Sequence, residues 1–368
     1  MKILSVTIIS SNNDAQWVRI SNLFNLLKKK GNDVTLAHYL IKGSSNHRKS
    51  KKEDTGDLFI LSNPFSILFK HLRIVRKENY DLVYGNTFAG TFFCILGILN
   101  KKPLILDMHG ISEEYLMNKS PLTTIIVMKI IEKMSLIFSN KILCVSYGMI
   151  NYLHKNKKIP LKKLFYVPNG VDLDMFMPIN DNEILDMKKK LQIEEDKLIF
   201  GYLGSTQKWQ GIENFISASK KIKDKRFVSI VVGCGSSTVS REKNIFYIPF
   251  VKKEDIIKYY SLCDVLVLPR PKHIVTEVAA PTKFAEYVSM GKPVLVTDVG
   301  DAAKLVRKYE NGIVIKDNEV ENLKKGINDF LKLGKDKLNQ MGLNSRKLAE
   351  KEFDWDNISN SLMEIIES

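Results

Sequence analysis

The chain has 368 residues, 44% of them hydrophobic and 26% charged, with a net charge of +15. That balance excludes a disordered chain, and the length exceeds what one core of ordinary size fills, so two globular domains are expected. The excess charge is one-sided: residues 1–170 hold 25 Lys and Arg against 11 Asp and Glu, whereas residues 171–368 hold 31 against 30. A basic first half suits contact with a polyanion, either acidic lipid headgroups or nucleic acid, and is equally compatible with a solvated lysine-rich face.

The chain opens on MKILSVTIIS, a short apolar run that turns polar at Ser11 to Asp14 without a small-residue cleavage pattern, and it reads as a first strand rather than a signal peptide. The loop of residues 10–15 has no glycine, which argues against the G-x-G-x-x-G turn of a nicotinamide or flavin site. Val18 to Leu27 has helical spacing and ends in three lysines before Gly31. Val34 to Leu40 is the next strand, residues 42–56 form a polar loop, and further strands are expected at Leu58 to Leu61, Leu82 to Tyr84, Leu104 to Asp107 and Ile142 to Val145. Strands alternating with helices in this rhythm predict a doubly wound parallel sheet. No apolar run reaches the ~18 residues of a membrane span. Core helices account for the longest candidates, Phe88 to Leu99 and Ile125 to Phe138, although the second also carries Lys129 and Lys133 and offers a basic amphipathic face. Cys94, Cys144, Cys234 and Cys263 are far apart in apolar segments, which suggests buried thiols in a reducing cytoplasm.

Asp107, Met108, His109 and Gly110 leave the carboxyl end of a strand, where ligands of parallel sheets bind. His109 is thus a candidate site residue. A turn at Pro168-Asn169-Gly170-Val171-Asp172, with Asn-Gly suited to positive φ, divides the halves. Beyond it, strands are expected at Leu198 to Leu203, Phe227 to Val232, Val265 to Leu268, Val294 to Val296 and Ile313 to Ile315, again as a parallel sheet. The loop Gly204-Ser205-Thr206-Gln207-Lys208-Trp209-Gln210-Gly211 opens a helix expected to run through Ile222, and its small polar residues suit a phosphate contact. Gly233-Cys234-Gly235 follows the next strand. The loop after Val265 to Leu268 carries Arg270, Lys272, His273, Glu277 and Lys283, with Glu286 one turn into a helix that Gly291 stops. It reads as an anion-binding edge. No H-E-x-x-H or carboxylate cluster argues for a metal.

The linker PNGVDLDMFMP, the loop GSTQKWQGIENF and the stretch with Arg270, Thr276-Glu277, Pro281-Thr282-Lys283, Glu286-Tyr287 and Met290-Gly291-Lys292-Pro293, in that order after DMHG, resemble the family 4 glycosyltransferases over essentially the whole chain. The closing Phe353-Asp354-Trp355 followed by a helix is similar as well. The resemblance implies the GT-B fold, two Rossmann-like doubly wound parallel-sheet domains facing a cleft: residues 1–170 on the acceptor side, with 353–368 packing back on them, and 171–352 binding the donor. It implies a hexosyltransferase-type enzyme that moves a sugar from a nucleoside diphosphate donor to an acceptor hydroxyl with retention, without an essential metal or other cofactor. By position, Glu286 would hold the ribose hydroxyls, Lys283 and Arg270 the diphosphate, and Gly204, Ser205, Lys208 and Gly233 would line the donor site. Glu277 and His109 would flank the transferred sugar. Two departures stand out. Glu277 and Glu286 are nine positions apart where the family commonly has eight, and Ser205 and Gln210 occupy places where it commonly has arginine and lysine. Combined with the charge division, the reading is a cytoplasmic enzyme of polysaccharide or glycolipid biosynthesis with an anionic or lipid-linked acceptor at the inner membrane face. A nucleotide-sugar epimerase of the same fold and a basic nucleic-acid-binding protein are the alternatives.

Overall fold

The computed structural model describes residues 1–9, 15–41, 58–62, 79–95, 102–235 and 238–368. The polar loop of residues 42–56 and the glycine-free loop after the first strand, up to residue 14, lie outside the described residues. The chain divides into two compact units, Met1–Pro168 with Ile358–Ser368, and Asn169–Asn357.

The first unit is built on seven strands: β1 (Lys2–Ile9), β2 (Asp33–Ile41), β3 (Leu58–Ser62), β4 (Leu82–Asn86), β5 (Leu104–Met108), β6 (Lys141–Cys144) and β7 (Leu164–Tyr166). Their order is β3-β2-β1-β4-β5-β6-β7, parallel throughout. Strands covered on both faces need apolar residues at consecutive positions, and β5 (LILDM) is buried at every residue, its aspartate included. The order reverses between β1 and β4, so the loops leaving the carboxyl ends of the central strands border a crevice. The helix Ala15–Lys29 ends on Lys28 and Lys29, cations at its negative end, and Gly31 follows at φ +83°. Lys141 Nζ donates to the carbonyl of Ile365 at 2.5 Å, which ties the closing segment to the start of β6.

The second unit has β8 (Leu198–Leu203), β9 (Phe227–Val232), β10 (Ser240–Glu242), β11 (Ile245–Ile248), β12 (Val265–Leu268), β13 (Val294–Thr297) and β14 (Gly312–Ile315). The order is β10-β11-β9-β8-β12-β13-β14, with only the β10–β11 edge antiparallel. Successive side chains of one strand feed opposite cores: Ile199 and Leu203 enter one, Phe200 and Tyr202 the other. Each fully buried side chain of that size contributes ~1.5–3 kcal/mol. The reversal of order lies between β8 and β12. The loop of residues 204–211 leaves the first of these strands and the charged loop from Pro269 leaves the second.

The turn after Pro168 differs from expectation. Neither Asn169 nor Gly170 has positive φ. Asn169 Nδ2 instead donates to the carbonyl of Ala280 at 2.7 Å, and Gly170 is required because the Trp355 ring lies against it, with Cε3 2.6 Å from where a Cβ would stand. The Val171 amide donates to the Phe353 carbonyl, and the Phe353 ring meets Phe284 edge-on. Phe353 and Trp355 therefore secure the second unit's own turn, and the segment grouped with the first unit starts at Ile358.

Candidate active site

The helix Thr282–Ser289 follows Pro281, and Lys283 and Glu286 stand three residues apart on one of its faces. Its position is fixed from β8, because the amide of Leu203 donates to the hydroxyl of buried Tyr287 at 3.3 Å. Gly204, the next residue, has φ +126°, and a Cβ there would stand 2.5 Å from Lys283 Nζ. Only glycine lets the lysine cross the start of this loop. Lys283 Nζ donates to the Tyr202 hydroxyl at 2.7 Å, and that hydroxyl donates in turn to the carbonyl of Ser205. Gly233 packs on the Gly204 backbone, while the Gly204 amide donates to Val232. The two loops form one continuous backbone surface beneath the lysine.

Arg270 leaves β12 with 5% of its surface exposed, and its guanidinium lies 4.9 Å from the centroid of the Trp209 ring. Its own carbonyl accepts from Thr297 Oγ1 at 2.7 Å, so β12 and β13 fix the backbone from which it projects. Burial, and then the nearby Arg270 charge, push Lys283 down to about 7, against the opposing pull of Glu286. The Arg270 charge thus disfavours the charged form of Lys283. An anion near both side chains would offset that repulsion and favour the charged form. Glu286 Oε2 accepts from the hydroxyl of buried Tyr260 at 2.6 Å, which orients the carboxylate.

The structure thus brings together Gly204, Ser205, Gly233, Arg270, Lys283 and Glu286. It does not add Lys208, which stands exposed on the short 3-10 turn Lys208–Gln210 with no partner for its ammonium among the described residues. The helix that follows this turn is Ile212–Ser219, shorter than the sequence predicted. Glu277 is committed to a different partner. Its Oε2 accepts from the amide of Gly300, the first residue of the helix Gly300–Tyr309, where a carboxylate meets the positive end of a helix.

In the first unit His109 follows β5, and its Nε2 lies 3.0 Å from Asp107 Oδ2. Asp107 is fully buried and takes a forked contact from buried Arg19, with Nε at 3.0 Å and Nη2 at 2.8 Å. Arg19 Nη1 also donates to the carbonyl of Pro168 at 2.6 Å. Burial alone would raise the carboxyl, but Arg19 and then His109 hold Asp107 well below the usual carboxylate range. An ionised Asp107 accepts the proton on Nε2. Nδ1, buried and without a partner among the described residues, is left as the histidine's uncommitted nitrogen. Residue 109 is held by a second network as well. Glu132, 1% exposed, accepts from the Ser112 amide, the Ser112 hydroxyl and Lys157 Nζ, which fastens the loop after His109.

Sequence reasoning missed Tyr202, Tyr260, Tyr287, Trp209, Arg19 and Glu132. The signal it could have used is a hydroxyl inside an otherwise apolar run, as in IFGYL, because a buried Tyr oxygen needs a partner.

Two family models cover nearly all of the chain: Glycosyltransferase Family 4 over residues 16–175 and Glycosyl transferases group 1 over residues 183–348. The chain belongs to the family 4 glycosyltransferases. This family 4 chain is 25% identical over 300 residues, 74% of its length and 72% of the relative's, to the UDP-Gal:alpha-D-GlcNAc-diphosphoundecaprenol alpha-1,3-galactosyltransferase of Escherichia coli. It is 23% identical over 359 residues to the capsular polysaccharide biosynthesis glycosyltransferase CapM of Staphylococcus aureus, covering 89% of this chain and 87% of CapM. Crystal structures of Anabaena HepE with UDP and with UDP-glucose match it with TM-scores of 0.78 and 0.76, at 16% and 17% identity. They cover all of this chain and 100% and 99% of HepE. The fold is that of the GT-B glycosyltransferases, with two Rossmann-like units.

Proposed function

We propose that this glycosyltransferase moves a hexose from a nucleoside diphosphate donor, with retention of configuration, to the hydroxyl of a lipid-linked acceptor. The observation that carries the reading is Lys283 lying against Gly204 within the field of the Arg270 charge, with Glu286 one helical turn further on. A departing diphosphate gains negative charge as the sugar leaves. Fixed cations in a partly enclosed site stabilise that charge where a metal ion would otherwise be needed. Glu286, oriented by Tyr260, suits the vicinal hydroxyls of a ribose, since a carboxylate accepts two hydrogen bonds side by side. Glu277, tied to Gly300, is positioned to orient the start of the helix Gly300–Tyr309. We assign it a supporting role, and propose His109 as the residue of the first unit that serves the transfer. The acceptor class rests on the basic first half and on the similarity to the E. coli galactosyltransferase, which acts on a diphosphoundecaprenol-linked sugar.

A thermal-shift screen of nucleoside diphosphates and their sugars tests the donor part. At least one pair should raise the unfolding temperature by several degrees, since ligand at 100 times its Kd adds about 2.7 kcal/mol of stability. No shift with any nucleotide would remove the reading.

Lys283 gives the binding a pH signature. In the free protein it loses its proton near pH 7, and a bound diphosphate favours the protonated form. Binding above that pH must therefore take up a proton, up to one per site, and affinity should fall by up to about tenfold per pH unit between about pH 7 and the pKa in the complex. Well below pH 7 Lys283 is already charged and contributes no slope. Calorimetry in buffers of different ionisation enthalpy reads the uptake, and Lys283→Arg should abolish it because arginine stays protonated.

A further inference from the structure

We infer that the outward face of the helix Leu122–Phe138 is a docking surface for an anionic lipid bilayer, on which the first unit lies with this helix in the plane of the interface. The inward face of the helix is accounted for. Ile125, Glu132, Ser135 and Leu136 are buried, and Ser135 Oγ donates to the Phe88 carbonyl at 2.8 Å, which seats the helix on Thr87–Ile95. The outward face is not accounted for. Leu122, Ile126, Val127, Ile130, Ile137 and Phe138 are between 47% and 71% exposed. Scattered exposed apolar residues are ordinary, but six on one 17-residue helix are a stripe of the length of the helix itself. Ile126, Ile130, Lys133 and Ile137 follow one another at i, i+4, i+7 and i+11 along a single line, and Lys129 lies on the same flank as Lys133.

Charge selects the occupant. The helix has one acidic residue, Glu132, and it is buried against Ser112 and Lys157. Every charge on the exposed face is positive: Lys129 and Lys133, with exposed Lys119 before the helix and exposed Lys162 close to its end, where Lys163 Nζ donates to the carbonyls of Ile137 and Ser139. A second copy of this chain packed on the same face would bring lysines against lysines with no carboxylate to meet them. A bilayer rich in anionic headgroups supplies an apolar layer beneath the isoleucines and negative charge at the level of the ammonium groups, which long lysine stems can reach. No helix among the described residues is long and apolar enough to cross a membrane, so the contact is one of lying on the surface. The inference extends the reading of a membrane-presented acceptor, and it can fail while sugar-donor binding stands.

The test is co-flotation of the full chain with phosphatidylglycerol-rich vesicles and with pure phosphatidylcholine vesicles at about 0.1 M salt, with nucleoside diphosphate binding measured on the same preparations. The wild type should float with the anionic vesicles. Ile126→Ser with Ile130→Ser, both about half exposed and so with little loss of packing, should lower the bound fraction at least tenfold, and Lys129→Glu with Lys133→Glu should do the same, while nucleotide binding stays as in the wild type and the protein remains folded. Absence of flotation, or flotation that neither pair alters, overturns the inference. So does a wild-type dimer in sedimentation that the serine pair dissolves without any effect on vesicles. Loss of nucleotide binding in the wild type would instead strike the donor reading and leave the docking surface intact.

Discussion

Replacing Glu286 with Ala is expected to weaken nucleoside diphosphate binding by roughly 30- to 1,000-fold, the equivalent of about 2–4 kcal/mol for two hydrogen bonds to a charged carboxylate. The side chain is partly exposed, and the truncation takes the carboxylate from the buried Tyr260 hydroxyl at a cost of about 1–3 kcal/mol, which the unit should survive. Glu286→Gln keeps an oxygen that accepts from the Tyr260 hydroxyl and offers the ribose a neutral acceptor, so its loss should fall between wild type and Ala. The ordering wild type, Gln, Ala identifies the carboxylate charge as the source of affinity. Both variants binding normally in a calorimetric titration would mean that the ribose is held elsewhere.

The second large effect is expected at Asp107. Asp107→Asn leaves Arg19, 2% exposed, without its counter-charge, and an uncompensated buried charge costs about 3–5 kcal/mol. Chemical denaturation should show the loss in the first unit's transition. Pairing it with Arg19→Met removes the orphaned charge and should restore much of the stability. The pair would not restore the carboxylate that commits the proton on His109 Nε2, so turnover should stay down about 100-fold, with nucleotide binding unchanged. A double variant that regains turnover along with stability would show that Asp107 serves the fold alone.

The strand and helix alternation could be read from the sequence because doubly wound sheets require long apolar strands, and β1, β5, β8 and β12 have no other explanation. Two of the four edge strands, β7 and β10, could not, whereas β3 and β14 could, at Leu58 to Leu61 and Ile313 to Ile315. β7 has three residues, and β10 is Ser-Arg-Glu, exposed at every position, so neither carries periodicity. At the candidate site, the charged residues Arg270, Lys283 and Glu286 were legible from their positions around a strand, a turn and a helix start. Their supports were not. Tyr202 and Tyr260 lie 81 and 26 residues away from the side chains they hold, and Arg19 is 88 residues from Asp107. Such pairings are made by the sheet order, which brings β8 beside β12 and the start of the first helix toward the end of β5, and no local pattern announces them. Lys208 and Glu277 show the converse. Each stands in a site loop, yet backbone geometry turns one to solvent and the other to the amide of Gly300.

The most direct measurement of the central claim, that Arg270 and Lys283 form a diphosphate site, compares nucleoside diphosphates with the matching monophosphates by calorimetric titration of the wild-type chain at pH 7. One base should bind as the diphosphate at least about 100-fold more tightly than as the monophosphate, because the second phosphate is the group placed between the two cations. Equal affinity for the two, or no binding of any diphosphate, would contradict the account.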